Sequence, residues 1–163
     1  MVILGIDPGS RKTGYGLIAS DGKSLRHIDS GFVNLEKGTL IERLGAIAKT
    51  LSTLIAHHKP DYVAIEQIFM HINPNSALKL GQARGAAIVA ASGFDLPLAE
   101  YSAKQVKLAV VGYGAAAKIQ VQMMVRSLLS LKTPLQEDEA DALAVAICHA
   151  HSAVKIVIPA KEM

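Results

Sequence analysis

Cysteine occurs once in the 163 residues, at Cys148, so the chain closes no internal disulfide and builds no cysteine-rich zinc site. Long apolar runs are missing too. Nowhere does an uncharged stretch reach the roughly 18 residues that a helical membrane span requires. The N-terminus shows no basic leader followed by a cleavage site, and the expected location is the cytoplasm, away from membranes. Internal repeats, linkers and low-complexity tracts are absent, so a single domain over 1–163 is expected, long enough to bury a proper core. Charge of one sign is scarce: 17 Lys and Arg stand against 14 Asp and Glu, a net +3 with a pI near 9.0. Such mild basicity is compatible with a polyanionic partner and proves none. What the chain has in plenty is apolar residues, 50% of the total, which makes it globular rather than disordered.

Those apolar residues change period along the chain. Val2–Ile6 reads as a buried strand followed by a turn at Pro8-Gly9. Tyr15–Ala19 and Leu25–Leu35 read as further strands about a turn at Asp21-Gly22, an antiparallel start. Leu40, Ile41, Leu44, Ile47, Ala48, Leu51, Leu54 and Ile55 then fall at helical spacing, and His57-His58-Lys59-Pro60 ends that helix. Tyr62–Ile65 is a short strand. Asn73-Pro74 opens a helix to about Ser92, and a strand follows near Leu96–Glu100. Helices over Ala115–Leu131 and Leu135–His151 complete the order β-β-β-α-β-α-β-α-α, an α/β sandwich with a mixed sheet. Gly81 and Gly85, on one helix face with Ala77 and Ile88, leave room for the sheet or for a second helix.

Two of the strands end in an acid. Val2–Ile6 and Tyr62–Ile65 are apolar on both faces, hence central, and a right-handed crossover through the intervening helix makes them parallel. Paired directly, they set Asp7 and Glu66 about 5 Å apart, at the edge where open α/β sheets carry their sites. Asp-Pro-Gly is also a good tight turn whatever the function, so Asp7 alone has a plain explanation. In QEDEADALAVAI, Asp138 and Asp141 are three apart and share a helix face, with Glu137 and Glu139 pointing elsewhere. Acids in a first helical turn also meet the macrodipole. Asp141, however, borders the apolar run Ala142–Ile147, where an idle carboxylate is costly. Together the four acids form an all-oxygen ligand set, with no His-x-x-x-His or cysteine pair, suited to Mg²⁺ or Mn²⁺ rather than zinc. Such a set supports two-metal phosphoryl chemistry: one ion activates water and the other stabilises the leaving 3′ oxygen.

The stretches ILGIDPGSRKTGYG, PDYVAIEQIFM, SALKLGQARGAAIVAA, AKQVKLAVVGYGAAAK and DEADALAVAICHAH run in order through nearly the whole chain. They closely resemble the RuvC family of bacterial Holliday junction resolvases, crossover junction endodeoxyribonucleases of the ribonuclease H-like superfamily. The resemblance implies an α/β ribonuclease H-like fold, a central five-stranded mixed sheet flanked by helices. It implies that Asp7, Glu66, Asp138 and Asp141 are catalytic and bind metal, two Mg²⁺ per subunit with Mn²⁺ able to substitute. It also implies a homodimer that nicks two strands of four-way junction DNA symmetrically, in recombination and repair, alongside the RuvA–RuvB branch-migration complex. One metal site per chain cuts one strand, so two symmetric cuts require two chains about a two-fold axis.

Lys107 and Lys118 coincide with lysines the family uses near the scissile phosphate, where Lys118 would neutralise charge developing in the transition state. Arg11, Lys12, Lys79, Arg84 and Lys104 also fit a phosphate track, although each taken singly reads as a solvated surface charge. Phe69, one of three phenylalanines, lies in an expected loop past Glu66. It either anchors that loop or stacks on an unpaired junction base; the resemblance favours stacking. Ile72, beside His71, departs from the family, many of whose members carry a basic residue there. His149 and His151 match the family pattern and are assigned no chemistry, a histidine near a helix C-terminus being more often structural.

Rival readings differ in what they require. Actin-like and hexokinase-like ATPases share the core fold and a DxG turn, but they are longer and carry a second phosphate loop. A non-catalytic junction-binding protein would have lost acids that this chain keeps. A ribonuclease H acting on RNA–DNA hybrids shares the metal chemistry and differs in the surrounding surface, which fold alone does not separate.

Overall fold

Strand β1 (Val2–Asp7) lies at the centre of a five-stranded sheet of order β3-β2-β1-β4-β5. The computed structural model describes residues 1–68 and 73–156. β2 (Lys12–Ser20) and β3 (Leu25–Asn34) continue from β1 as antiparallel neighbours, whereas β4 (Tyr62–Glu66) and β5 (Leu98–Tyr101) run parallel to it. The hairpin between β2 and β3 turns at Gly22, whose φ of 88° suits glycine. Asp21 clamps the same turn by accepting hydrogen bonds from the Lys23 and Ser24 backbone N–H groups. β2 begins at Lys12, three residues before the expected Tyr15, because Lys12 already pairs with Asn34 of β3.

Helix α1 (Leu40–His58) makes the crossover from β3 to β4. Thr39 and Glu42 form its capping box, and Lys59 ends it in the left-handed region. Helix α2 (Pro74–Ser92) opens on the expected Asn73 cap with Pro74 behind it. Three helices follow β5: α3 (Ala103–Val111), α4 (Lys118–Leu128) and α5 (Glu137–Ile156). The expected order contained only two helices there, so α3 is a correction. Ser102 and Gln105 form its reciprocal capping box, a Ser-x-x-Gln signal present in the sequence. None of the described helices is long and apolar enough to cross a membrane.

The sheet buries both faces. Leu4, Ile6, Leu17, Val63 and Ile65 meet Ile47, Leu51 and Ile55 of α1 and Ala83 and Ala87 of α2. Ile3, Ile18 and Ala64 meet Val106, Val121, Val125, Leu143 and Ile147 from α3, α4 and α5. The small residues that let α2 pack inward are therefore alanines. Gly81 and Gly85 are not on that face, since a Cβ at either would meet nothing within 4 Å. Packing of those glycines on their own sheet, one of two expected uses, is overturned.

Glycine matters instead beneath α5. A Cβ on Gly5 would lie 2.2 Å from the Ala142 carbonyl oxygen, and one on Gly14 would lie 2.0 Å from that of Asp138. The α5 backbone rests directly on the floor of β1 and β2, a separation no side chain there would permit. Gly5→Ala is accordingly expected to destabilise the protein by about 1–3 kcal/mol or more. This would be read as a lower urea midpoint at unchanged slope; a wild-type midpoint would contradict the contact.

Candidate active site

β1 and β4 pair with Ile6 opposite Ile65, so the next residues, Asp7 and Glu66, leave the sheet side by side at its C-terminal edge. Both face α5, because side chains alternate along a strand and Gly5, two residues before Asp7, lies under Ala142. The turn after Asp7 is real as well. Thr13, fully buried, donates its hydroxyl to the Gly9 carbonyl at 3.1 Å and accepts from the Gly9 N–H at 3.3 Å. The bend and the acid are thus parts of one construction. Asp7 pairs across β2 with Gly14, on which the Asp138 carbonyl rests, so the first turn of α5 hangs over the sheet edge beside Asp7.

All four expected acids meet electrostatically. The Asp7 carboxyl is pushed well above its usual range, first by burial and then by the negative charges of Glu66, Asp141 and Asp138. Asp7 and Glu66 lie close enough for each carboxyl to perturb the other, with burial the largest cause of the shift in both. Burial also raises Glu66, aided by Asp141 and opposed by the neighbouring Asp7 carboxyl and by Lys118 and Lys107. Asp141 is raised by burial, against the pull of Lys118.

Lys118, first residue of α4, reaches between two acids of α5. Its ammonium donates to Glu137 and, at 3.3 Å, to Asp141. Burial alone would lower its pKa; the two carboxylates outweigh that and raise it. Glu137 was expected to point away from the site. It lies four residues before Asp141, one helical turn, and therefore shares its face. Lys12 approaches the other α5 acid, 4.0 Å from Asp138, while resting over the Phe32 ring.

Among the described residues no three His, Cys, Asp or Glu side chains close on a single point as a ready cage. Instead Asp7 and Glu66 lie side by side with their pKa values raised, and Asp141 holds the Lys118 ammonium group. This arrangement fits a hard divalent cation: the donors are all carboxylate oxygens, and their mutual repulsion raises their affinity for positive charge, as the Lys118 ammonium at Asp141 illustrates.

The model of the family described as crossover junction endodeoxyribonuclease RuvC matches residues 3–149. The chain belongs to the RuvC family. A RuvC from Citrifermentans bemidjiense is 58% identical over 154 residues, covering 94% of each chain. Another, from Idiomarina loihiensis, is 56% identical over 161 residues, 96% of this chain and 90% of that one. Among solved structures, Thermus thermophilus RuvC in complex with Holliday junction substrate superposes with a TM-score of 0.90 at 37% identity, over 95% of this chain and 96% of that one. The yeast mitochondrial Holliday junction resolvase, at 15% identity and a TM-score of 0.64, shares the fold.

In this RuvC-family chain the expected cations divide by position. Lys107 and Lys118 both act on Glu66, and Lys12 lies at Asp138. Gly9, Ser10, Arg11, Lys12, Glu36 and Asp138 line an open cleft of about 430 Å³ beside the acids. Arg11 is paired there with Glu36 at 2.7 Å. Ser10 also borders a smaller, more enclosed pocket that Lys79 lines with Arg43. Arg84 is engaged by Glu100 at 2.5 Å, and the exposed Lys104 lays its stem along Gly114. Phe69, His71 and Ile72 lie outside the described residues. The two α5 histidines have packing roles: His149, 7% exposed, is hydrogen-bonded to the Tyr101 hydroxyl at 2.8 Å, and His151 donates to the Ala109 carbonyl of α3.

The acid cluster has a thermodynamic signature. A carboxyl with a raised folded-state pKa binds protons better folded than unfolded, so its contribution to stability falls as pH rises from its ordinary value through the raised one. Asp7→Asn removes that cost. In chelator it is expected to melt higher than wild type at pH 7.5, the gain vanishing towards the ordinary value of 3.8. Thermal unfolding at pH 4 and 7.5 measures this; equal gains at both would contradict the raised pKa.

Proposed function

We propose that this chain resolves four-way DNA junctions as a metal-dependent endonuclease, with Asp7, Glu66, Asp138 and Asp141 as the ligands of two divalent cations, Mg²⁺ in the first instance. The observation that carries the reading is the convergence of acids from β1, β4 and α5 at one edge of a RuvC-family fold, where burial and neighbouring acids raise Asp7, Glu66 and Asp141. A pair of divalent cations at those carboxylates supplies an activated water and neutralises charge on the leaving 3′ oxygen.

The remaining residues bind and orient. Lys118 brings a positive charge to the mouth of the cluster, where it meets the phosphate oxygens on which charge develops. Lys107 offsets Glu66 from the α3 side. Arg11 and Lys12 line the adjoining cleft and hold backbone phosphates in register, a sequence-independent function. Lys79, Arg84 and Lys104 extend that track, and Phe69 stacks on an unpaired junction base. Junction DNA as substrate is supported by the Thermus thermophilus relative, whose structure contains it.

Paired nicking requires a second copy. The open face of α2 supports a homodimer: Leu78 is 62% and Val89 69% exposed, and Gly81 and Gly85 lie open between them. Leucine and valine so exposed beside glycines suit a close helix contact about a two-fold axis. The RuvA–RuvB complex as the partner that delivers junctions, and the cytoplasm as the site of action, rest on the family resemblance.

Purified protein with Mg²⁺ is expected to place symmetric nicks in a synthetic four-way junction and to spare plain duplex and RNA–DNA hybrid. Asp7→Asn should abolish cutting while junction binding holds or tightens. Lys118→Ala should slow single-turnover cutting by about 10²-fold with little change in binding. Val89→Asp should leave unpaired nicks. Preferential cutting of the hybrid would overturn the substrate class.

A further inference from the structure

Strand β3 carries a bulge opposite Leu17 and Ile18, so His27 pairs with Ile18 while Ser30 pairs with Gly16. In a regular strand residues three apart face opposite sides. The extra residue re-aims them, and His27 and Ser30 both face α5, Ile18 lying in the α5-side core and Gly16 under Leu143. There His27 Nε2 meets the Ser30 hydroxyl at 2.7 Å, and that hydroxyl donates to Glu139 Oε1 at 2.5 Å. With its proton committed to Glu139, Ser30 accepts from His27. Glu139 uses its other oxygen to cap the helix, accepting the Gln136 N–H at 3.1 Å. The cap needs only one carboxylate oxygen; the second is spent on the sheet.

We infer that the Ser30–Glu139 hydrogen bond is a positioning device for the acid cluster, tying the first turn of α5 to β3 and so setting the direction in which Asp138 and Asp141 face Asp7 and Glu66. Side chains at Asp138 and Glu139 project about 100° apart around the helix axis, so the hold on Ser30 and the reach towards Asp7 are fixed by the same rotation. Gly5 and Gly14 set how near α5 lies; the tether sets how it is turned. Ser30 and Glu139 are positioning residues. They act through the acids, so the inference rests on the metal-site reading above.

Calorimetric titration of the DNA-free protein with Mn²⁺ tests it, alongside the Mg²⁺ concentration for half-maximal junction cutting and the melting temperature in chelator. Ser30→Ala is expected to weaken Mn²⁺ binding about tenfold and to raise the Mg²⁺ midpoint by a similar factor. The melting temperature should fall by only about 2–4 °C, and Ser30→Thr should restore both metal readouts. Unchanged Mn²⁺ binding by Ser30→Ala overturns the inference, whatever the melting temperature does. Asp141→Asn separates the two levels. If it binds Mn²⁺ as wild type does, the metal reading fails and the tether with it; if it loses binding while Ser30→Ala does not, the tether alone falls.

Discussion

Carboxylates from β1, β4 and α5 reach one edge only because a helix lies nearer to a sheet than side chains would allow. Gly5 and Gly14 provide that floor: the carbonyl oxygens of Ala142 and Asp138 sit where a Cβ would be. The remaining packing follows from this contact. Leu143 and Ile147 of α5 fill the core between the sheet and α3 and α4, and those two short helices bring Lys107 and Lys118 to the acids. A sheet with ordinary residues at positions 5 and 14 would hold α5 away and leave the four acids as unrelated surface charges.

Closeness has an electrostatic cost that gives the site its chemistry. Asp7, Glu66 and Asp141 are each harder to ionise than a free carboxylate, burial being the largest cause and neighbouring acids adding to it. The Lys118 ammonium offsets part of that burden at Asp141, and an all-carboxylate cluster so disfavoured as free anions has the chemistry to take up a divalent cation. The modest net charge of +3 belies this local arrangement. Lys12 and Lys118 approach acids of α5, and Lys107 adds positive charge felt at Glu66, so the cluster is locally offset by cations.

Much of this was legible in the sequence because the signals were strong and local. β1 and β4 are apolar on both faces, which made them central, and their terminal acids then had to be neighbours. Helix α3 was missed because it has only nine residues between a strand and a glycine turn, although its Ser102–Gln105 capping box was written in the chain. Glu137 was misplaced by reading the spacing of Asp138 and Asp141 alone; the four-residue spacing to Asp141 puts it on the same lysine. Gly81 and Gly85 invited a packing role that Ala83 and Ala87 perform, since small size does not say which side of a helix faces in. The bulge in β3 left no mark in composition or periodicity, being set by how two strands twist together.

A crystal soaked in Mn²⁺ and measured at the manganese edge tests the central claim most directly. Anomalous peaks bounded by the carboxylates of Asp7, Glu66, Asp138 and Asp141, with Lys118 withdrawn from Asp141, are the expected result. A map with ordered manganese elsewhere and none among these acids would contradict it.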